Sequence, residues 1–184
     1  MFKNIIIILG VFITTLMFYQ HAFAEIKGIE MQVDGMTCPF CVYGIEKKLK
    51  ALQEVTDASS NLKTGIVDIV LKEDAPLDIE KLNKAILESG FTPVRIKIKA
   101  SGKLTIYKLE GKQYHALKVT GTNQVFLLTL APDHEKEEFL SAEKLKEIEK
   151  VSEGGSKEII ITGYIHSHSV GVPPALSVES FEVN

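Results

Sequence analysis

Gly35-Met36-Thr37-Cys38-Pro39-Phe40-Cys41 holds both cysteines of this 184-residue chain. On its N-terminal side Ile29, Met31 and Val33 alternate with Glu30, Gln32 and Asp34. That is the two-residue period of a strand with one buried face. On its C-terminal side Val42, Ile45, Leu49 and Leu52 recur at spacings of three, four and three, which predicts one apolar helix face. The two sulfurs are therefore expected on a strand-to-helix loop and the first helical turn. Thr37 suits the N-cap and Pro39 an early helical position. Unsatisfied amides and the positive end of the helix dipole favour thiolate over thiol there.

Two thiolates three positions apart can pinch one soft cation. A tetrahedral Zn(II) site would be half empty, because no third cysteine exists. Two-coordinate binding suits Cu(I), Ag(I) or Hg(II) better. The same pair also reads as a plain disulfide in an oxidising compartment.

In this context Gly-Met-Thr-Cys-x-x-Cys resembles the heavy-metal-associated domain, over residues 25–99. The family includes copper chaperones, the metal-binding modules of copper-pumping ATPases and the periplasmic mercury-binding protein. The resemblance implies that Cys38 and Cys41 bind the metal, Cu(I) or Hg(II). It also implies that Met36 packs inside and steadies the loop without being a ligand. The family's loop after the second helix lies near the metal, and the matching residue here is Phe91. Cytosolic copper carriers tend to place Lys there, ATPase modules Phe and mercury-binding proteins Tyr. An aromatic would shield the site from water and supply no cation; Phe91 reads equally well as core. Cys-Pro-Phe-Cys also resembles the active site of some periplasmic thiol–disulfide oxidoreductases, with Thr92-Pro93 where their cis-proline loop would be.

The remaining periodicity up to residue 99 supports the family's fold. Val55 to Leu62 is extended and ends at the turn signal Lys63-Thr64-Gly65. Ile66–Leu71 is a β-branched run. Asp78 is placed to cap a helix whose face is Ile79, Leu82 and Ile86, and Gly90 ends it. Val94, Ile96 and Ile98 alternate with Arg95, Lys97 and Lys99. The expected class is α+β: a ferredoxin-like βαββαβ sandwich.

Upstream, Lys3 precedes the charge-free run Ile5–Tyr19, and Ala22-Phe23-Ala24 supplies small residues for cleavage. This predicts a signal segment over residues 1–24 and an exported, periplasmic chain starting at Glu25, touching the membrane only through that segment. Twenty basic and 24 acidic side chains would remain, a net charge of −4. Such a balance leaves no electrostatic footprint for nucleic acid.

Downstream, Ala100-Ser101-Gly102 reads as a linker into a mostly-β domain over residues 100–184. Leu104–Leu109, Tyr114–Val119 and Val125–Ala131 read as strands, with turns at Gly111 and Gly121-Thr122-Asn123. A charged helix is expected between Glu135 and Lys150, with Ser141 as its cap and Gly154-Gly155 as its stop. A strand through Ile159–Ile165 follows. The last strand, from Leu176 to Val183, changes phase after Val178, which predicts a bulge. Three strands, a helix and two strands is the element order of an OB-like barrel. His166 and His168 would share a strand face, but further metal ligands are not identifiable, so they read as solvated loop residues. No catalytic constellation appears. The expected function is an exported, non-enzymatic protein that binds, buffers or transfers a soft ion through Cys38 and Cys41. Its partners would be that ion and a membrane metal transporter or metal-accepting protein. The alternatives are a thiol–disulfide oxidoreductase and an adaptor for such a transporter.

Overall fold

The computed structural model describes residues 26–130, 142–166 and 171–183. The expected signal segment, His134, residues 135–141 with the cap Ser141, and His168 lie outside the described residues. The chain runs β1 (Ile26–Asp34), α1 (Pro39–Lys50), β2 (Val55–Asn61), β3 (Ile66–Leu71), α2 (Ile79–Leu87), β4 (Thr92–Leu109), β5 (Lys112–Val119), β6 (Val125–Leu130), α3 (Ala142–Val151), β7 (Glu158–His166) and β8 (Ala175–Val183).

The first four strands form an antiparallel sheet in the order β2-β3-β1-β4. Its inner face carries Ile29, Met31, Val33, Val67, Ile69, Ile96 and Ile98, all buried. α1 contributes Val42, Ile45 and Leu49 to that core, and α2 contributes Leu82 and Ile86. Each fully buried aliphatic side chain contributes about 1.5–3 kcal/mol over exposure. The N-terminus of α2 is capped as expected: the Asp78 carboxylate accepts from the Lys81 amide at 3.0 Å. This is the βαββαβ layer expected from the periodicity over residues 25–99.

One element departs from expectation. Ala100-Ser101-Gly102 is no linker; it lies inside β4, which runs unbroken for 18 residues. Ala100 and Ser101 are fully buried. Residues 96–100 pair with both β1 and β7, whereas Gly102 pairs with β5 and β7. The three small residues form the joint at which β4 exchanges one neighbour for another. A β-carbon at Gly102 would stand 2.3 Å from the Lys118 carbonyl oxygen, so only glycine admits that approach. The expected boundary at 99/100 thus cuts through a strand.

The second half of β4 closes a five-stranded barrel, β4-β5-β6-β8-β7, whose last strand returns to β4. Among the described strands only the β6–β8 pair is parallel. This matches the OB-like order expected from the sequence. Leu117, Phe126, Leu128, Ile159, Ile161, Leu176, Val178 and Ile148 of α3 are buried in the same contiguous core as the first sheet. The predicted bulge is present: Thr162 pairs with Ser180 and Gly163 with Val178, leaving Glu179 unpaired. A second bulge was not foreseen. Gln32 pairs with Arg95 but Val33 with Pro93, so Val94 is squeezed out and exposed.

Side chains reinforce the fusion. The Leu77 amide donates to Gln124 Oε1 and Gln124 Nε2 donates to the Leu77 carbonyl, both at 2.8 Å. These bonds pin the lead-in to α2 onto the β5–β6 turn. Across β7, Lys97 pairs with Glu179 and Lys99 with Glu182, each at 2.6 Å. Hydrogen bonding from Lys99 holds the Glu182 carboxyl below its usual range.

Candidate metal site

β1 ends at Asp34, opposite Thr92, and the chain turns through Gly35 at φ +91°. Met36 then drops into the core, 7% exposed, as the resemblance implies. Thr37 is exposed and does not cap the helix. The N-cap is Cys38 itself, with extended backbone (φ −136°, ψ 135°) and no side-chain capping bond. Pro39 takes the first helical position, where its missing N–H costs nothing. The Cys38 carbonyl accepts the Val42 amide at 3.3 Å.

Cys38 is half-buried, and Cys41 lies three residues on, in the first turn of α1. The side chain of Cys41 is outside the described set. The first turn holds no acidic residue, whereas Lys47, Lys48 and Lys50 occupy the last. No carboxylate on that turn competes with a thiolate for the positive helix end.

Two other turns support the loop. Gly65 of the β2–β3 turn accepts the Val33 amide at 2.8 Å, and Gln32 Nε2 donates to the Thr64 carbonyl at 3.3 Å. Behind α2, Gly90 has φ +86° and delivers Phe91 beside Gly35. The Phe91 ring carbon Cδ1 lies 3.5 Å from where a Gly35 β-carbon would stand. Phe91 is half-buried and packs on the core. Thr92 and Pro93 open β4, paired with Asp34 and Val33. They are strand residues, not the loop that the oxidoreductase likeness requires.

The sequence reading missed Phe40 and Tyr43. They are 90% and 67% exposed on the face of α1 opposite Val42, Ile45 and Leu49. Their spacing of three, continued by Lys47, was the available signal.

Of the histidines, His166 ends β7, paired with Ala175. His115 Nδ1 stands 4.0 Å from Glu149 Oε1 of α3. Among the described residues no group of three or more His, Cys, Asp or Glu side chains is arranged to hold a metal. The double change His166→Ala with His168→Ala is expected to leave soft-metal stoichiometry unchanged, because imidazole matches such ions less well than thiolate. Loss of the ion in that variant would show that both halves of the chain build one shared site.

Residues 30–92 match the heavy-metal-associated domain. A copper-exporting P-type ATPase of Bacillus subtilis (strain 168) is 49% identical over 47 residues, covering 26% of this chain and 6% of that protein. Copper-transporting ATPase 1 of Rhizobium meliloti (strain 1021) is 40% identical over 75 residues, covering 40% of this chain and 8% of that protein. The chain thus spans less than a tenth of these relatives' length. Among solved structures, the CopZ metallochaperone aligns over 37% of this chain and 100% of its own, with 28% identity and a TM-score of 0.35. The water-soluble region of the Bacillus subtilis P-type ATPase CopA aligns over 46% and 54%, with 35% identity and a TM-score of 0.35. Residues 30–92 of this chain are a heavy-metal-associated domain.

Proposed function

We propose that this chain is an exported carrier that holds one Cu(I) between Cys38 and Cys41 and passes it on by thiolate exchange. The observation that carries this reading is the seating of Cys38 on the N-cap of α1, with Cys41 in a first turn free of carboxylates. Both cysteines sit at the positive helix end, and two-coordinate sulfur ligation suits Cu(I). The similarity to copper ATPases favours copper over mercury among the soft ions. Phe91 and the buried Met36 hold the loop on an apolar floor.

Transfer needs no change of oxidation state. An incoming thiolate adds to the ion, one donor sulfur leaves, and the second follows. Each acceptor thiol loses its proton to solvent as it binds, and each released donor thiolate takes one up. Competition among Cu(I), Hg(II) and Zn(II) for the reduced chain tests the choice of ion. Retention of Cu(I) against excess Zn(II) is expected; preferential uptake of Zn(II) would refute it.

Export rests on the charge-free run Ile5–Tyr19 followed by Ala22-Phe23-Ala24. Mass spectrometry of the mature protein is expected to find Glu25 at its N-terminus. Recovery of intact Met1–Ala24 in the membrane fraction would overturn this part of the reading.

A further inference from the structure

Two lysines of the barrel face each other with no counter-charge between them. Lys103 of β4 and Lys118 of β5 are directly opposed in the antiparallel ladder, and both are exposed. Like charges at opposed positions destabilise a sheet. Elsewhere on the same face of β4 the charge is answered: Lys97 is paired with Glu179 and Lys99 with Glu182. Among the described residues neither Lys103 nor Lys118 has a carboxylate within ion-pair distance. Glu158, opposite Lys103 on β7, is engaged by Thr120, whose hydroxyl donates to its carboxylate. The chain as a whole carries more acids than bases, so this pair is a local inversion of its charge.

The lysines border an open hollow of about 400 Å³, walled on its other side by Thr120, Gly121, Thr122 and Asn123 of the β5–β6 turn. That turn is held at both ends. The Thr120 amide donates to the Ser101 carbonyl at 3.1 Å, and the Val119 amide to the Gln124 carbonyl at 3.0 Å. The Gln124 side chain is in turn bonded twice to the Leu77 backbone. Thr122 Oγ1 accepts the Gln124 amide at 3.2 Å, which leaves the hydroxyl proton to donate. The amides of Gly121, Thr122 and Asn123 donate to no group among the described residues. A fixed turn with spare N–H groups forms an anion-binding concavity, and ammonium groups beside it strengthen each hydrogen bond.

We infer that this hollow binds a phosphate group. Lys103 and Lys118 supply the charge, and the turn amides with the Thr122 hydroxyl supply the directed donors. Free inorganic phosphate and the phosphomonoester headgroup of a lipid present the same tetrahedral oxygens to such a site. The site shares no residue with the cysteine loop and stands independently of the carrier reading.

The test follows backbone amide NMR shifts of the mature chain during titration with sodium phosphate near neutral pH, with sodium chloride at matched ionic strength as the control. The amides of Gly121, Thr122 and Asn123 are expected to shift and saturate with phosphate and not with chloride. Lys103→Gln with Lys118→Gln is expected to weaken that response at least about tenfold. The Tm of this variant without phosphate is expected to equal or exceed the parent's, because the like-charge repulsion is gone. A second arm measures co-sedimentation with phosphatidylcholine vesicles containing phosphatidic acid, a monoester, or phosphatidylglycerol, a diester. Saturation by free phosphate supports the site and makes the free ion its ligand. Lysine-dependent binding to phosphatidic acid vesicles, with no response to free phosphate, supports it and makes the headgroup the ligand. The inference is overturned by the absence of both responses, by equal responses in parent and variant, or by equal binding to the two anionic lipids.

Discussion

Replacing Cys38 by serine is expected to weaken Cu(I) binding severely while leaving the fold intact. Cys38 is half-buried on the N-cap and makes no capping bond through its side chain. Serine fits the same space and is itself a favoured N-cap residue. If the cysteine pair holds the ion as proposed, what is lost is one of two sulfur ligands, and one thiolate cannot complete a two-coordinate site. Disturbing a partner outside the ligand shell already costs roughly 10–100-fold in metal affinity, so loss of a ligand is expected to exceed about a hundredfold. Cys41→Ser is expected to behave alike. Competition with a Cu(I) chelator measures the affinity, and circular dichroism checks the fold. Parent-like affinity in both variants would remove these cysteines from the site.

Gly102→Ala is expected to be among the most destabilising single-methyl additions in this chain. Its β-carbon would stand 2.3 Å from one backbone oxygen and 2.9 Å from the attached carbon, so the strands themselves must move apart. Overpacking costs typically 1–3 kcal/mol and occasionally more. We expect about 3 kcal/mol, a fall in Tm of roughly 6–12 °C for a chain of this size. Gly28→Ala, where an added carbon meets nothing within 4 Å, is the control. Because β4 belongs to both sheet and barrel and the core is contiguous, signals from both halves are expected to melt together. Two separate transitions in the parent chain would contradict the shared strand.

The joint at Gly102 also shows where sequence reading fails. Gly102 lacks a side chain because the Lys118 backbone approaches it closely, yet small residues are equally the mark of a flexible connection. Periodicity cannot separate the two, since the cause is a long-range contact with Lys118. The bulge at Val94 was hidden for a related reason: its alternation with Ile96 and Ile98 is unbroken in sequence, and only the pairing with β1 ejects it. By contrast the bulge after Val178 was legible, because there the alternation itself changes phase. Local signals were reliable at the site. Gly35, Pro39 and the spacing of Val42, Ile45 and Leu49 placed the cysteines between strand and helix start. The assignment of Thr37 as N-cap was off by one, because Pro39 at the first helical position makes Cys38 the cap. Phe40 and Tyr43 were not legible as exposed groups because two aromatics on the polar face of α1 break the usual amphipathic rule.

The most direct measurement is an anaerobic titration of the mature chain with Cu(I), made once on the reduced protein and once after oxidation of the cysteine pair. The reduced chain is expected to saturate at one ion per chain. The oxidised chain is expected to bind none, since a disulfide offers no thiolate. A reduced chain that binds no soft metal yet exchanges efficiently with a peptide disulfide would contradict the account and assign the pair to redox chemistry.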